Sequence, residues 1–408
     1  MKQINKIGIL IAWPREIDMY DGLLNMSSDK IDIIVNDFKS FEKGRNLSNK
    51  KIIEILEKKK INFKLFSKVF KNFKYKVIVS TGEMSGYKIS IYSILRFIYG
   101  FTIGNLINVL KISNILISIF GRPFTGGGKN ISLGINWFPE KILGNIVIKY
   151  SDGMDIKTKN YPFDMYKNVF DIYFSYCDLE IQLIKKKFAK ECLKIDYFRF
   201  TSECENQNLN QNELIKEFNL DPNKKIIYWL PTHIINPNEE DENIKNWMYL
   251  LNFLNTYYNI ILRPHPKTLT INKKILKELE KLNYTIDQNF DQKIGQKIKC
   301  ADLILADYGA ILFDTLYLKK KMILLNLRKN TKFEQDLIYN KSLDILLRDD
   351  IKNLNPDINE SEILESIKKE LSTNNNQDYD DLKIKYFGKL NSLNLYQVEK
   401  FLESKLNI

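Results

Sequence analysis

The chain contains two histidines, and both directly follow stretches that read as buried strands. His233 follows "IIYWLPT", and His265 lies between Pro264 and Pro266 after "NIILR". A proline on either side restricts the backbone and fixes where the imidazole can go. Arg263, two residues before His265, adds a permanent charge on a planar fork that matches phosphate oxygens. A third strand end is "ADLILADYGAILFD", where an apolar run stops at Asp307-Tyr308-Gly309-Ala310 and a helix-like stretch carrying Asp314 begins. Gly309 lets backbone approach a ligand closely, and the amides of Gly309 to Leu312 are candidates to face a phosphate. Asp307 or Asp314 is suited to accept from a hydroxyl or to cap the helix. Taken singly, Asp307-Tyr308-Gly309 reads equally well as a capped turn, and either histidine as a structural one. Together, at the ends of strands in one sheet, they favour a phosphate-handling site. No histidine or cysteine has metal-ligand spacing, so neither a metal site nor a cofactor is expected.

A second group lies in the first half. "GRPFTGGGKN" places Arg122 and Lys129 around Gly121 and Gly127, without the G-x-x-x-x-G-K-[ST] form of a nucleoside-triphosphate loop. It reads either as a loop whose two cations meet a phosphate or anionic acceptor, or as a plain loop.

The elements that must position these residues alternate in type. Strand-like "KIGILIAW" and "IDIIVNDF", a helical "NKKIIEILEKKK" and strand-like "KYKVIVSTG" open the chain; "ISNILISIF" runs into the glycine-rich loop, and "FDIYFSYCDLEIQLIKKKFAK" reads as strand then basic helix. Polar text from Thr201 to Lys225 suggests a linker with one short helix. After it "KIIYWLPTH", "NIILRPHP", "YTIDQ", "ADLILADYG" and "KMILLN" give five short strands. Such alternation predicts an α/β chain with two Rossmann-like domains and mostly parallel sheets. We place the domains at residues 1–205 and 224–350, with a linker at 206–223 and a helical tail at 351–408 that crosses back to the first half. "STNNNQDYDD" reads as a flexible joint within that tail.

Length and composition agree with this division. A chain of 408 residues supports two domains, each with its own core. The 62 Lys and Arg exceed the 50 Asp and Glu, for a formal charge of +12 spread along the chain. That surplus suits an anionic partner, such as a phosphorylated substrate or a membrane face, and equally reflects the Lys- and Asn-rich usage of an AT-rich genome. No stacking motif or dense arginine stripe points to nucleic acid. The four cysteines lack C-x-x-C spacing and no signal-peptide pattern precedes them, which fits a reduced cytoplasmic protein. Polar residues interrupt the longest apolar segment, Ile89 to Phe120, so it reads as a buried helix followed by a strand, or as an interfacial helix.

"KIIYWLPTH", "NIILRPHP" and "CADLILADYGAILFDTLYLKKKMILL", in this order, resemble the CDP-glycerol glycerophosphotransferase family of GT-B-fold enzymes, which build teichoic-acid-like and capsule polymers. The resemblance covers Lys224 to Asn326 well and the rest loosely. It implies that His265 matches the histidine near the donor pyrophosphate, that Thr232 falls in the family's P-T motif, and that Asp307, Tyr308 and Asp314 match its D-Y frame near the nucleotide. Gly309 and Ala310 stand where the family usually has two serines, so backbone N–H groups would have to hold the phosphate. His233 stands where an aromatic residue is usual.

In the first half the family carries W-H-G-T-P-L-K, whose histidine resembles a general base, and Phe120 occupies that place here. Glu83, after "KVIVSTG", is the candidate replacement, or else a helix cap; Asp18 and Asp152 are weaker ones.

The resemblance thus implies a metal-independent transferase with GT-B-like domains facing an interdomain cleft. It would move glycerol phosphate or a sugar from a CDP-glycerol-like or nucleotide-sugar donor to a hydroxyl of a polysaccharide or lipid-linked acceptor; the basic surplus, for its part, fits a peripheral place at the inner membrane face. The alternatives are a GT-B nucleotide-sugar glycosyltransferase and a catalytically silent subunit of a capsule assembly complex. A nucleotide-sugar epimerase shares the fold, but its expected paired acidic residues are not apparent.

Overall fold

The apolar runs between polar turns become two all-parallel sheets in the computed structural model of the chain. The structure describes residues 2–24, 26, 29–37, 43–70, 72–82, 140, 143–151, 153–154, 170–188, 190–198, 200, 210–232, 242–265, 268, 273–289, 294–327, 342–373 and 376–407. The apolar segment 89–120, the loop 121–130 and the strand expected at its start lie outside these residues.

The first sheet comprises β1 (Lys2–Ile11), β2 (Ile31–Val35), β3 (Lys64–Leu65), β4 (Phe73–Ser80), β5 (Gly144–Lys149), β6 (Ile172–Ser175) and β7 (Glu191–Lys194), in the order β3-β2-β1-β4-β5-β6-β7. The second comprises β8 (Ile226–Leu230), β9 (Asn259–Leu262), β10 (Thr285–Ile286), β11 (Leu303–Ala306), β12 (Met322–Leu325) and β13 (Asn353–Leu354), in the order β10-β9-β8-β11-β12-β13. Both sheets wind outward in one direction from their first strand and then resume on its other side. Each therefore has a switch point, between β1 and β4 in the first and between β8 and β11 in the second. Because helices cover both faces of a parallel sheet, its strands need apolar residues at every position. "IIYWL" in β8, "LILA" in β11 and "MILL" in β12 are buried throughout.

The chain forms two compact units. The first takes Met1–Asp152, Tyr161–Arg199 and Leu390–Ile408, and the second Gly153–Asn160 and Phe200–Lys389. In the second, Trp229, Trp247, Leu251, Leu279, Leu305 and Ile363 belong to one buried core. The helix Gln211–Phe218 packs into that unit through Leu214; Asn210 caps its start with the Glu213 amide, and Asn219 ends it at φ 51°. The helices Glu360–Ser372 and Asn376–Phe387 also belong to the second unit. The stretch read as a flexible joint is largely helical, because Tyr379 is buried and its hydroxyl accepts from the Met322 amide at 2.9 Å. The last helix, Leu395–Leu406, joins the first unit: Phe401 meets Phe174 with ring centroids 5.9 Å apart, and Lys76 donates to the Leu406 carbonyl at 2.6 Å.

Four strands escaped the sequence reading: β3, β5, β7 and β13. β7 is short and half polar, and β3 and β13 have two residues each that only their pairing with β2 and β12 defines. No helix among the described residues is long and apolar enough to cross a membrane.

Candidate functional site

Three neighbouring strands of the second sheet, β9, β8 and β11, point their carboxyl ends the same way. They end respectively in Arg263-Pro264-His265, Pro231-Thr232 and Asp307-Tyr308-Gly309-Ala310. The switch point lies between the second and third. The position is a consequence of register: Leu230 pairs with Ala306, so Pro231-Thr232 and Asp307-Tyr308 leave the sheet side by side.

Asp307 joins these two exits. Its Oδ1 accepts from the amides of Thr232 at 2.8 Å and Tyr308 at 2.6 Å, and its Oδ2 from Asn243 Nδ2 at 2.7 Å. The Thr232 hydroxyl donates to the Tyr308 carbonyl at 3.1 Å, and Asn243 also donates to the Thr232 carbonyl. The Asp307 carboxyl is buried, and that burial raises its pKa to about 6 against the opposing effect of Asn243, the Tyr308 and Thr232 amides and the Arg348 charge. Asn243 Oδ1 is left buried with no hydrogen-bond partner among the described residues.

The turn after Asp307 is shaped by two further groups. Gly309 adopts φ +88°, a region that disfavours other residues, and its amide donates to Asp344 Oδ2 at 3.0 Å. Arg348 stacks its guanidinium 3.9 Å from the Tyr308 ring centroid. Its Nη2 donates to the Asp307 carbonyl at 2.5 Å and the Leu325 carbonyl at 3.3 Å, and its Nη1 to the Asp344 carbonyl at 3.3 Å. One planar fork thus ties the ends of β11 and β12 to the helix Leu343–Leu346. Gly153 lies against the same turn: at φ +145°, a Cβ on it would come within 3.0 Å of the Ala310 methyl. Both positions are therefore held to small residues. Of the four amides expected to face a phosphate, Gly309 and Leu312 have internal partners, the latter the Gly309 carbonyl at 3.3 Å. Those of Ala310 and Ile311 have none among the described residues. Asp314 is buried in the helix Ile311–Tyr317, where its amide donates to the Ala310 carbonyl at 3.1 Å.

Arg263 does not project as a free cation. Its Nη1 is 2.7 Å from Asp287 Oδ2, which also takes Lys297 Nζ at 3.0 Å and the Tyr228 hydroxyl. Asp287 and Lys297 have fully buried side chains. Burial pushes the Asp287 carboxyl upward, but Arg263, Tyr228 and Lys297 together outweigh it and hold the group below the usual carboxylate range. The sequence suggested a phosphate ligand at Arg263; in the structure its Nη1 is committed to a buried carboxylate, which ties the segment before His265 to Asp287. His265 itself is half-buried, and its carbonyl accepts from the Thr268 amide at 2.9 Å.

The first sheet repeats the switch-point staple with other residues. Glu16 is buried and accepts from the Ala12 amide at 2.5 Å, the Trp13 amide at 3.1 Å and the Thr81 hydroxyl, so it links the ends of β1 and β4. Asp18 is half-buried in the helix Pro14–Met19. His233, Glu83, Phe120, Gly121, Arg122, Gly127, Lys129 and Asp152 lie outside the described residues. Among the described residues, no three His, Cys, Asp or Glu side chains gather as a metal site would need.

Asn243, Asp287, Asp344 and Arg348 were not singled out from sequence. For Arg348 a signal existed in its rarity: only eight of the 62 basic residues are arginine. Asn243, Asp287 and Asp344 sit among many similar polar residues and carry no local mark.

A family model described as CDP-glycerol:poly(glycerophosphate) glycerophosphotransferase matches residues 186–333. That span contains all of Lys224 to Asn326, so the resemblance read there is borne out. No curated protein matches the chain. Among solved structures, the wall teichoic acid polymerase TagF superposes with a TM-score of 0.52 at 12% identity, covering 99% of this chain and 88% of that one. A TagF variant after a 30 minute soak with CDPG superposes with a TM-score of 0.54 at 12% identity, over 99% of this chain and 88% of that one. The fold is accordingly GT-B-like, as the resemblance implied, and its two parallel sheets are those the strand alternation predicted.

Proposed function

We propose that the chain is a transferase that takes glycerol phosphate from CDP-glycerol and adds it to a hydroxyl of a growing surface polymer. The observation that carries this reading is the convergence of Thr232, His265 and Asp307–Ala310 on the ends of three adjacent strands, within the span that the family model matches. A switch point in an open α/β sheet is where nucleotides dock. The Ala310 and Ile311 amides supply unspent donors for a phosphate there, in place of the two serine hydroxyls usual in the family.

The acceptor hydroxyl attacks the phosphorus that carries glycerol. A new P–O bond forms, the pyrophosphate bridge breaks, and CMP leaves with the bridging oxygen. Charge grows on that oxygen, and His265, held by prolines and braced through Arg263, offsets it as a hydrogen-bond donor. The acceptor proton needs a base, and Glu83 is our candidate. The +12 charge supports work at an anionic membrane face. A nucleotide-sugar donor is the second reading, favoured by the missing serine hydroxyls at 309 and 310.

Thermal stabilisation by CDP, CMP, UDP and GDP, on wild type and His265→Ala, tests the assignment. A shift with the cytidine nucleotides that is lost in the variant supports CDP-glycerol, and a shift with UDP or GDP instead supports a sugar donor. No shift with any of them overturns the donor site and leaves a silent subunit.

A further inference from the structure

The amino edge of the second sheet, opposite the ends that carry the candidate donor site, holds a cavity of about 520 Å³. That volume is in the range of small-molecule sites. Its lining includes Lys225, Lys299, Lys319, Lys320 and Lys321, with Asp302 as the one carboxylate. The topology explains why lysines from distant stretches meet: Lys225, Asp302 and Lys321 each immediately precede a strand, β8, β11 and β12, and those strands are neighbours.

Two of the five ammonium groups are matched. Lys225 Nζ is 3.0 Å from Asp302 Oδ1, and Lys319 pairs with Asp380. The other three have no carboxylate within 4 Å among the described residues. Lys320 donates to the Lys299 carbonyl at 2.9 Å and Lys321 to the Leu371 carbonyl at 2.8 Å, so each is held in place with donors to spare.

A bland explanation is that these lysines only neutralise helix ends. The helices Ile294–Cys300, Ile311–Tyr317 and Glu360–Ser372 end near the cavity lining, and each carboxyl end is worth about half a negative charge. Asp302 and Asp380 answer Lys225 and Lys319, and Glu213 acts on Cys300 in the lining, so the groups that keep no carboxylate beside them are Lys299, Lys320 and Lys321. Glu370 acts on Lys321 but is shared with Lys352. Burial is the main cause that lowers the Lys320 pKa; Asp302 opposes it, and repulsion from Lys321 and Lys299 adds a smaller push in the same direction as burial. A bound anion would relieve that repulsion.

We propose that this cavity binds a phosphate ester group, at a site separate from the donor site and independent of the transferase reading. The chemistry is that of a phosphate mono- or diester carrying one to two negative charges, small enough to enter between Lys299 and Lys320. A soluble glycerophosphate and the headgroup of an anionic lipid share it.

The test is calorimetric titration of the full chain at pH 7.5 and low salt with inorganic pyrophosphate and with glycerol 3-phosphate, on wild type, Lys299→Gln, Lys320→Gln and His265→Ala. A parallel arm measures co-sedimentation with phosphatidylglycerol vesicles. Lost charge-assisted hydrogen bonds are each worth about a tenfold change in affinity. We expect binding that either lysine variant weakens about tenfold, while His265→Ala leaves it unchanged. Lys299 is exposed, so its variant keeps the fold even where Lys320→Gln disturbs the Lys299 carbonyl contact. Soluble ligands bound with that pattern identify a metabolite site, and vesicles bound with that pattern identify a lipid headgroup. The proposal is overturned if none of the probes binds wild type, if the lysine variants bind as well as wild type, or if His265→Ala weakens binding as much as they do.

Discussion

Replacing Asp287 by alanine strands the charges beneath the Arg263-Pro264-His265 segment. Asp287 Oδ2 is 2.7 Å from Arg263 and 3.0 Å from Lys297, and the Asp287 and Lys297 side chains are fully buried. Removing one partner of a buried ion pair costs about 3 to 5 kcal/mol, since the remaining charge stays desolvated. Two cations lose the same partner here, as does the buried Tyr228 hydroxyl, so the upper end, about 5 kcal/mol, applies. Glu217, 3.2 Å from Lys297 and partly exposed, offsets only part of that loss. In a unit of about two hundred residues this lowers the melting temperature by roughly 10 to 20 °C. Differential scanning calorimetry is the suitable assay because the two units can melt separately. The companion variant Asp287→Ala/Lys297→Met removes one stranded charge and should recover about half the loss, a coupling that a double-mutant cycle isolates. The sign with pH is also fixed. A carboxyl held below its ordinary value stabilises the fold above the unfolded value of 3.8, and loses that contribution as pH falls through its lowered folded value. Asp287→Ala lacks this acid-dependent loss. If Asp287→Ala melts within about 2 °C of wild type, the cluster contributes nothing net and its role as a brace for His265 is refuted.

Asp307 should behave in the opposite sense. Its folded value, about 6, lies above 3.8, so it destabilises the fold progressively as pH rises between those values, by about 3 kcal/mol in total. The difference in melting temperature between wild type and Asp307→Asn should therefore change steadily between pH 4 and 6 and be flat above 7; a constant difference would sink this account. Arg348→Met removes three backbone contacts and the Tyr308 stack, which should cost about 2 to 4 kcal/mol and weaken nucleotide-induced stabilisation. Arg348→Lys should restore little of either, because an ammonium cannot span the fork; full rescue by lysine would show that charge alone matters there.

Strand alternation and the three motifs at strand ends were legible because both are local. An apolar run bounded by Pro, Gly or Asp announces a buried parallel strand, and β8, β9, β11 and β12 formed where their text indicated. β13 was not legible, since two residues gain strand character only by pairing with Leu324 and Leu325. The tail was half-read: a joint was expected at residues that Tyr379 anchors in a helix, and nothing local reveals that its hydroxyl meets the Met322 amide.

By itself the sequence determined that two parallel α/β sheets form and that Thr232, His265 and Asp307 stand where such strands stop. Those facts depend on residue type and short spacing. Only the tertiary structure decided what each side chain does there. It committed Arg263 to Asp287, 24 positions away, brought Asn243 and Arg348 onto Asp307, and gathered lysines from Lys225 to Lys321 at the opposite edge. The physical reason is that charges and hydrogen bonds are partnered through space. A buried carboxylate takes whichever donors the strand order brings to it, and strand order is set by packing of the whole sheet.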